Sequence, residues 1–346
     1  LGQSIALSGP LSELGIALHQ GAQACFASVN ARGGINGRPI ELVALDDGYE
    51  VKRAVENFKT LFADPSLFGL FGCFGTPIIE ALLPLIRGTD TPSFSAYTGA
   101  LAARPGDMRN VFNVRASYPE EAQRLVQHLS TIGLKRVAVA HQNNAFGREV
   151  NQAAEAAMRR FGLTSVAVAT IDNDGSGADA AAEQIDAARP DAVLLGLAGK
   201  PTVMFVKAIR ARQRGLPLYA PSVLGSAATL KAMGDDAHGI AVSQVVPMPT
   251  LAAVPVVREF QTAWRAIGSS IEPSHLTLEG YINARVMVEA LKRAGSPLKR
   301  SSFIDAAWGL RRLDLGGFEV GFDKPGGNAS HFVELTLVNR GGKFIR

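Results

Sequence analysis

The chain has 346 residues, 47% of them hydrophobic and 19% charged, with a formal net charge of +4. That composition is ordinary for a globular protein, and the length carries core material for two lobes. Only 7% of residues are aromatic, and Lys292, Arg293, Lys299, Arg300, Arg311 and Arg312 are scattered instead of forming a stripe, which argues against a nucleic-acid partner; no apolar run approaches the roughly 20 residues of a membrane span.

The opening residues, Leu1 to Leu7, read as strand interior, so the expectation is that any targeting segment has been removed or was never present. Strand-like runs at 4–8, 40–46, 67–72 and 93–96 alternate with helix-period stretches near 12–31, 51–63 and 77–87. Asn30-Ala31-Arg32-Gly33-Gly34-Ile35-Asn36-Gly37-Arg38 ends the first helix on glycine stop signals. A second cycle of strands is expected at 136–140, 165–171, 192–196, 218–221 and 240–246, separated by helices near 147–161, 178–189, 201–214 and 226–234. Helices near 253–267, 275–294 and 300–309 follow, and the alternating stretch from His331 to Val338 reads as an edge strand or hairpin arm.

Strands spaced by helices imply parallel sheets with right-handed crossovers, hence an α/β fold of two doubly wound lobes. The proline-bearing connections at 115–119 and 246–250 mark the crossings between lobes. They divide the chain into an N-terminal lobe of residues 1–117 with 248–326 and a C-terminal lobe of 118–247 with 327–346. Two such lobes joined by short connections form a hinge, and the cleft between them is the expected ligand site.

Several chemistries can be tested against the stretch Gly72-Cys73-Phe74-Gly75-Thr76-Pro77, which ends the third strand. It lacks the lysine of a phosphate-binding loop, and the spacing of Gly69, Gly72 and Gly75 fails the dinucleotide fingerprint. Cys73 sits beside the first glycine, not midway between two; the histidines that could activate it are scattered, and His141, at a strand end that could face the cleft, has no acid at a suggestive spacing. Cys25 and Cys73 are expected to be two buried free thiols, and they offer no metal-ligand spacing. Asp46-Asp47 reads as a turn or helix cap, and the loop Asp172-Asn173-Asp174-Gly175-Ser176-Gly177 lacks the closing glutamate of a calcium site. No catalytic residue, metal or cofactor is therefore expected.

What remains is a set of hydroxyls and backbone amides at the carboxyl ends of first-lobe strands, where ligands of open α/β sheets collect. Ser8 follows the first strand, Gly75 and Thr76 the third, and Ala96, Tyr97 and Thr98 the fourth. A helix starting at Thr76-Pro77 points free amides at whatever sits there, which suits a carboxylate.

These stretches carry a family resemblance. Leu7-Ser8-Gly9-Pro10, the 30–38 segment, Asp46-Asp47-Gly48, Gly75-Thr76-Pro77, Thr98-Gly99-Ala100, the 111–118 segment, Gln142-Asn143-Asn144-Ala145-Phe146-Gly147 and the 278–284 segment occur in an order that resembles type I periplasmic solute-binding proteins. The nearest branch is the leucine/isoleucine/valine-binding group that serves ABC importers. The resemblance implies that the Thr76 hydroxyl, the Ala96 carbonyl and Thr98 hold the carboxylate and amino group of an amino-acid ligand. From the other lobe it implies Phe146, where a tyrosine is usual, Ala198, where an aromatic is common, and Ser222, where family members carry an acid for the ammonium. Gln142, with His141 and Arg115, is a further candidate contact, Arg115 being equally suited to a hinge salt bridge. A buried ammonium without a carboxylate partner is costly, so an organic or aromatic acid fits these residues at least as well as a branched-chain amino acid.

The expected function is thus an extracytoplasmic, periplasmic binding protein, monomeric, that captures a small carboxylate and delivers it to an ABC transporter permease. The competing readings are a sensory module of the same fold and an enzyme using Cys73 or the Asp46-Asp47 pair.

Overall fold

The computed structural model describes residues 1–224 and 226–346. In chain order the first segment holds β1 (Gly2–Ile5), α1 (Ser12–Asn30), β2 (Val43–Asp46), α2 (Val51–Ala63), β3 (Leu70–Phe71), α3 (Thr76–Ile86), β4 (Ser93–Phe94) and β5 (Val111–Phe112). The second segment holds α4 (Tyr118–Thr131), β6 (Arg136–Gln142), α5 (Ala145–Phe161), β7 (Thr164–Ile171), α6 (Ala178–Ala187), β8 (Ala192–Gly196), α7 (Lys200–Arg212), β9 (Leu218–Ala220), α8 (Ala227–Met233) and β10 (Ala241–Gln244). The last part adds α9 (Pro255–Ile267), α10 (His275–Ala294), α11 (Arg300–Trp308), the hairpin β11 (Leu313–Asp314) and β12 (Glu319–Val320), and the strands β13 (Glu334–Val338) and β14 (Phe344–Ile345).

These elements gather into two units, one of Leu1–Ala116 with Val246–His331 and one of Ser117–Val245 with Phe332–Arg346. Residues 327–331 stay with the first unit because Ala329 N–H donates to Asn113 O and Ser330 N–H to Val114 O, extending the backbone beside β5.

The first unit is an all-parallel sheet of order β2-β1-β3-β4-β5. β1 lies inside it, and all four of its residues are buried although two are polar. Gln3 and Ser4 are satisfied in place: Gln3 Nε2 donates to Gly72 O at 2.9 Å and Ser4 Oγ to Asp47 Oδ2 at 2.7 Å, as buried polar groups require. An aromatic cluster of Phe94, Phe112, Phe303, Phe322 and Trp308 fills the space between the sheet and α11. β2, β3 and β4 are shorter than the runs that signal them: β2 and β3 begin three residues late, and β3 and β4 end early where the chain turns into the loops at the carboxyl edge.

The second unit has a seven-stranded sheet of order β14-β13-β10-β9-β8-β6-β7. Its β6 to β10 core is parallel, and β13 and β14 close one side antiparallel. The alternating tail therefore forms a hairpin arm, with β14 outermost. β8 is fully buried over all five residues, the expected pattern for a central parallel strand. α4 occupies residues where the sequence reading has only a connection. Its signal is a capping box: Ser117 N–H donates to Glu120 Oε2 at 2.7 Å, and Glu120 sits three residues on.

Candidate functional site

In the first unit the carboxyl ends of β3 and β4 converge. Beyond the strands, Gly75 N–H donates to Tyr97 O at 3.3 Å and Tyr97 N–H to Cys73 O at 2.9 Å, so the two loops pair as the strands do. That pairing brings the hydroxyls of Thr76 and Thr98 to 2.7 Å, both fully buried. Thr98 Oγ1 also accepts from Ala100 N–H at 3.1 Å. Thr76 opens α3; Pro77 has no N–H and Ile79 N–H donates to Gly75 O, which leaves the Thr76 and Ile78 amides as those without an acceptor within the helix. Pro77 in the first turn costs the helix nothing there. Gly75 before it takes φ +99°, and a Cβ at that position would stand 2.3 Å from Tyr49 Cε2; only glycine fits on both counts. Ala96 O accepts from Thr98 N–H at 2.9 Å, so this carbonyl lies in the same turn as the hydroxyl pair.

Tyr97 contributes backbone only. Its ring is buried below the loop against Gly72, and burial, with the nearby Glu279 carboxylate adding to it, raises its phenol well above the ordinary value. Ser8 is exposed and already engaged: its hydroxyl donates to Asp46 Oδ2 at 2.5 Å. Asp46 Oδ1 meanwhile accepts from the amides of Leu7, Ser8 and Gly48, and Arg53 pairs with Oδ2 at 2.8 Å. Partial burial alone would raise the Asp46 carboxyl, but the Ser8 hydroxyl, these amides and Arg53 outweigh it and hold it well below the usual carboxylate range. Its neighbour Asp47 is fully buried, and burial raises it despite the bonds from Ser4 and from Tyr49 N–H. The pair ties two loops together as a turn anchor.

The sequence reading passes over Tyr49. It is a non-glycine residue at φ +65°, immediately after Gly48 at +59°, and its ring lies 5.5 Å from that of Phe74. The only signal in the sequence is a bulky residue placed directly after Asp-Asp-Gly.

In the second unit the carboxyl edge collects a different set. Gln142 ends β6 with its side chain 2% exposed; its Oε1 accepts from Ala198 N–H at 2.9 Å and its Nε2 donates to Asn173 Oδ1 at 3.2 Å. Ala198 and Gln142 are thereby brought together, as neighbouring strand ends. His141 is turned to the other face of β6, where its Cβ approaches Gly196, and its Nδ1 lies 2.9 Å from Gln142 O. Asn144 caps α5 by accepting from Gly147 N–H, and a Cβ on Gly147 would stand 2.0 Å from Gln142 O, so the helix rests directly on the strand. This contact seats Phe146, which packs edge-on against Tyr118 at 5.5 Å. Ser222 follows β9, and its N–H donates to Glu121 Oε2 at 2.8 Å. Glu121, from the unexpected helix α4, is fully buried and also accepts from Ser243 Oγ at 2.7 Å.

Arg115 forms a buried ion pair with Glu279 of α10 at 3.3 Å, each side chain 3% exposed, and its carbonyl accepts from Arg104. That is the salt-bridge alternative for Arg115, made within the first unit. Cys73 is buried, and burial pushes its thiol up to about 12; Cys25 is pushed up equally. Both shifts run opposite to the lowered pKa that marks a reactive cysteine. Among the described residues, no three His, Cys, Asp or Glu side chains are grouped to hold a metal ion, and no helix is long and apolar enough to cross a membrane. A separate concavity of about 460 Å³ lies at the opposite, amino-terminal edge of the first sheet, walled by Ile40, Leu61, Leu67, Phe68 and Leu298.

Comparison with known proteins places the chain in a family along nearly its whole length. Residues 1–343 match the family described as periplasmic binding protein. A substrate-binding periplasmic protein from Ralstonia solanacearum is 32% identical, superposes with a TM-score of 0.93, and is covered over 98% of its length by 99% of this chain. The Leu/Ile/Val-binding protein homolog 7 of Brucella abortus (strain 2308) is 24% identical over 315 residues, 85% of this chain and 76% of that relative. An ABC transporter solute-binding protein from R. palustris, in complex with benzoate, shares the fold at a TM-score of 0.88 and 21% identity, with 99% and 94% of the two chains aligned.

Proposed function

The chain belongs to the periplasmic binding protein family, and on that premise we propose that it works outside the cytoplasm as the solute-binding component of an ABC importer. As a monomer it takes up one small carboxylate, closes its two lobes over it and presents it to the membrane permease, with no catalytic step. The observation that carries this reading is the buried Thr76–Thr98 hydroxyl pair at the amino end of α3. Neutral hydroxyls and free amides bind an anion without a full counter-charge, so the ligand can be released again to the permease. Ala96 and Gly75 supply the backbone of this cradle, while Gln142, Phe146, Ala198 and Ser222 are the second lobe's contribution.

The same residues support a ligand class. The Brucella relative is named for leucine, isoleucine and valine, and the R. palustris structure holds benzoate. Ser222, where family members carry an acid, offers no charge to an ammonium, and Glu121 directs Oε2 to the Ser222 N–H and the Ser243 hydroxyl within the second unit. A carboxylate without an α-amine is therefore favoured over an amino acid.

A thermal-shift screen of amino acids against aromatic and aliphatic acids tests this. A ligand at a hundred times its Kd adds about 2.7 kcal/mol to stability and raises the melting temperature by several degrees. A screen in which no carboxylate of any kind shifts the melting would overturn the carboxylate reading.

A further inference from the structure

We propose that Tyr49 is a specificity-determining residue whose ring takes the flat body of the ligand, so that the solute is an aromatic carboxylate. This deepens the binding role inferred above and rests on it. In the first sheet β1 lies between β2 and β3. Tyr49 follows β2 and Gly75 follows β3, so the Tyr49 ring crosses the carboxyl end of β1 to reach Gly75. It arrives one residue from Thr76, with Phe74 beside it at 5.5 Å.

The ring is held there at a cost. A bulky residue in the left-handed region persists only where its surroundings over-determine it, and such residues gather at ligand clamps. The surroundings here are explicit. Tyr49 N–H donates to Asp47 Oδ1 at 2.8 Å, Asp47 is anchored by Ser4, and Asn57 Nδ2 donates to Ser4 Oγ at 3.2 Å. One residue earlier, Gly48 N–H is fixed by Asp46, which Arg53 and Ser8 also grip. Gly75 lacks a side chain where the ring passes. Tyr49 as a residue is neither fully buried nor fully exposed. A carboxylate on the Thr76–Thr98 pair leaves the remainder of its molecule beside this wall, and an aromatic body gains a ring-on-ring contact that a saturated body of equal size does not.

The test compares benzoate with cyclohexanecarboxylate, acids alike in charge and nearly alike in size, by isothermal titration against the wild type, Tyr49→Phe and Tyr49→Leu. Leucine serves as a third ligand. The expected result is that the wild type binds benzoate about three- to tenfold more tightly than cyclohexanecarboxylate. Tyr49→Phe keeps that ratio, and Tyr49→Leu brings it within twofold. A ratio unchanged in Tyr49→Leu, an equal loss for both ring acids, or a wild type that does not distinguish them refutes the assignment of Tyr49. So does a wild type that binds leucine but neither ring acid, and in that case the binding role itself stands. A wild type that binds none of the three, nor any acid of the wider screen, brings down the binding role instead. Should Tyr49→Leu not fold, the wild-type ratio still decides whether the solute is aromatic, and Tyr49→Met takes its place in deciding whether Tyr49 reads it.

Discussion

Replacing Thr98 by valine keeps the shape of the side chain and deletes one hydroxyl, and the structure sets what that deletion costs. Thr98 Oγ1 makes two contacts, one with Thr76 Oγ1 at 2.7 Å and one accepting from Ala100 N–H at 3.1 Å. Thr98 and Ala100 are both wholly buried, so the Ala100 N–H is left without acceptor or water, a penalty of about 1–3 kcal/mol. Thr76→Val removes only the hydroxyl–hydroxyl bond and leaves Ala100 satisfied, about 0.5–1.5 kcal/mol. The double variant loses the shared bond once, so it should cost little more than Thr98→Val alone. Differential scanning calorimetry of the unliganded protein reads these losses. For a folding unit of 150–250 residues each kcal/mol is about 2–4 °C, so Thr98→Val should fall further than Thr76→Val, and Thr98→Ser should stay near the wild type. Ligand affinity, measured on the same folded variants, should drop for both valine substitutions. The reasoning fails if Thr76→Val melts as low as Thr98→Val, or if the two losses simply add.

Gly75→Ala meets both a positive φ and a contact with Tyr49 Cε2 at 2.3 Å, and should cost about 2–4 kcal/mol. Gly37→Ala, at φ +78° with open space around it, should cost only about 1–2 kcal/mol, and denaturant titration of the two separates clash from strain. Because burial raises both thiols to about 12, neither Cys25 nor Cys73 should react with a disulfide reagent at pH 8 in the native protein. Both should react once it is unfolded; fast native labelling of Cys73 would revive the enzymatic alternative. The Asp46 carboxyl is depressed in the folded state, so its contribution is present above the unfolded value of about 3.9 and is lost as pH falls below it. Asp46→Asn should lower the stability at pH 7 and flatten its acid dependence; an unchanged acid limb in that variant would dismiss the anchor role.

The alternation of apolar runs with helix-period stretches determined the α/β class, because a parallel strand buried on both faces and an amphipathic helix leave different spacings in the chain. The placing of Thr76 and Thr98 at neighbouring strand ends was legible for a related reason, since strand ends and a proline-started helix fix where hydroxyls and amides must fall. α4 was not read although its capping box is local, because a proline at its second residue marks a connection as readily as a helix start. Glu121 and Tyr49 could not be read at all. Glu121 sits about a hundred residues from Ser222, the backbone it engages, and only the order of strands in the second sheet brings them together. Tyr49 reaches Gly75 because β1 lies between the strands that carry them and two aspartates force a bulky residue into a left-handed turn. Sequence alone determined which strand ends carry hydroxyls and amides that could face a ligand. The tertiary structure decided how they are engaged: it joined Ser8 to Asp46, paired Thr76 with Thr98, sank the Tyr97 ring into the core, and set Tyr49 against Gly75 where the chain shows only Asp-Asp-Gly-Tyr.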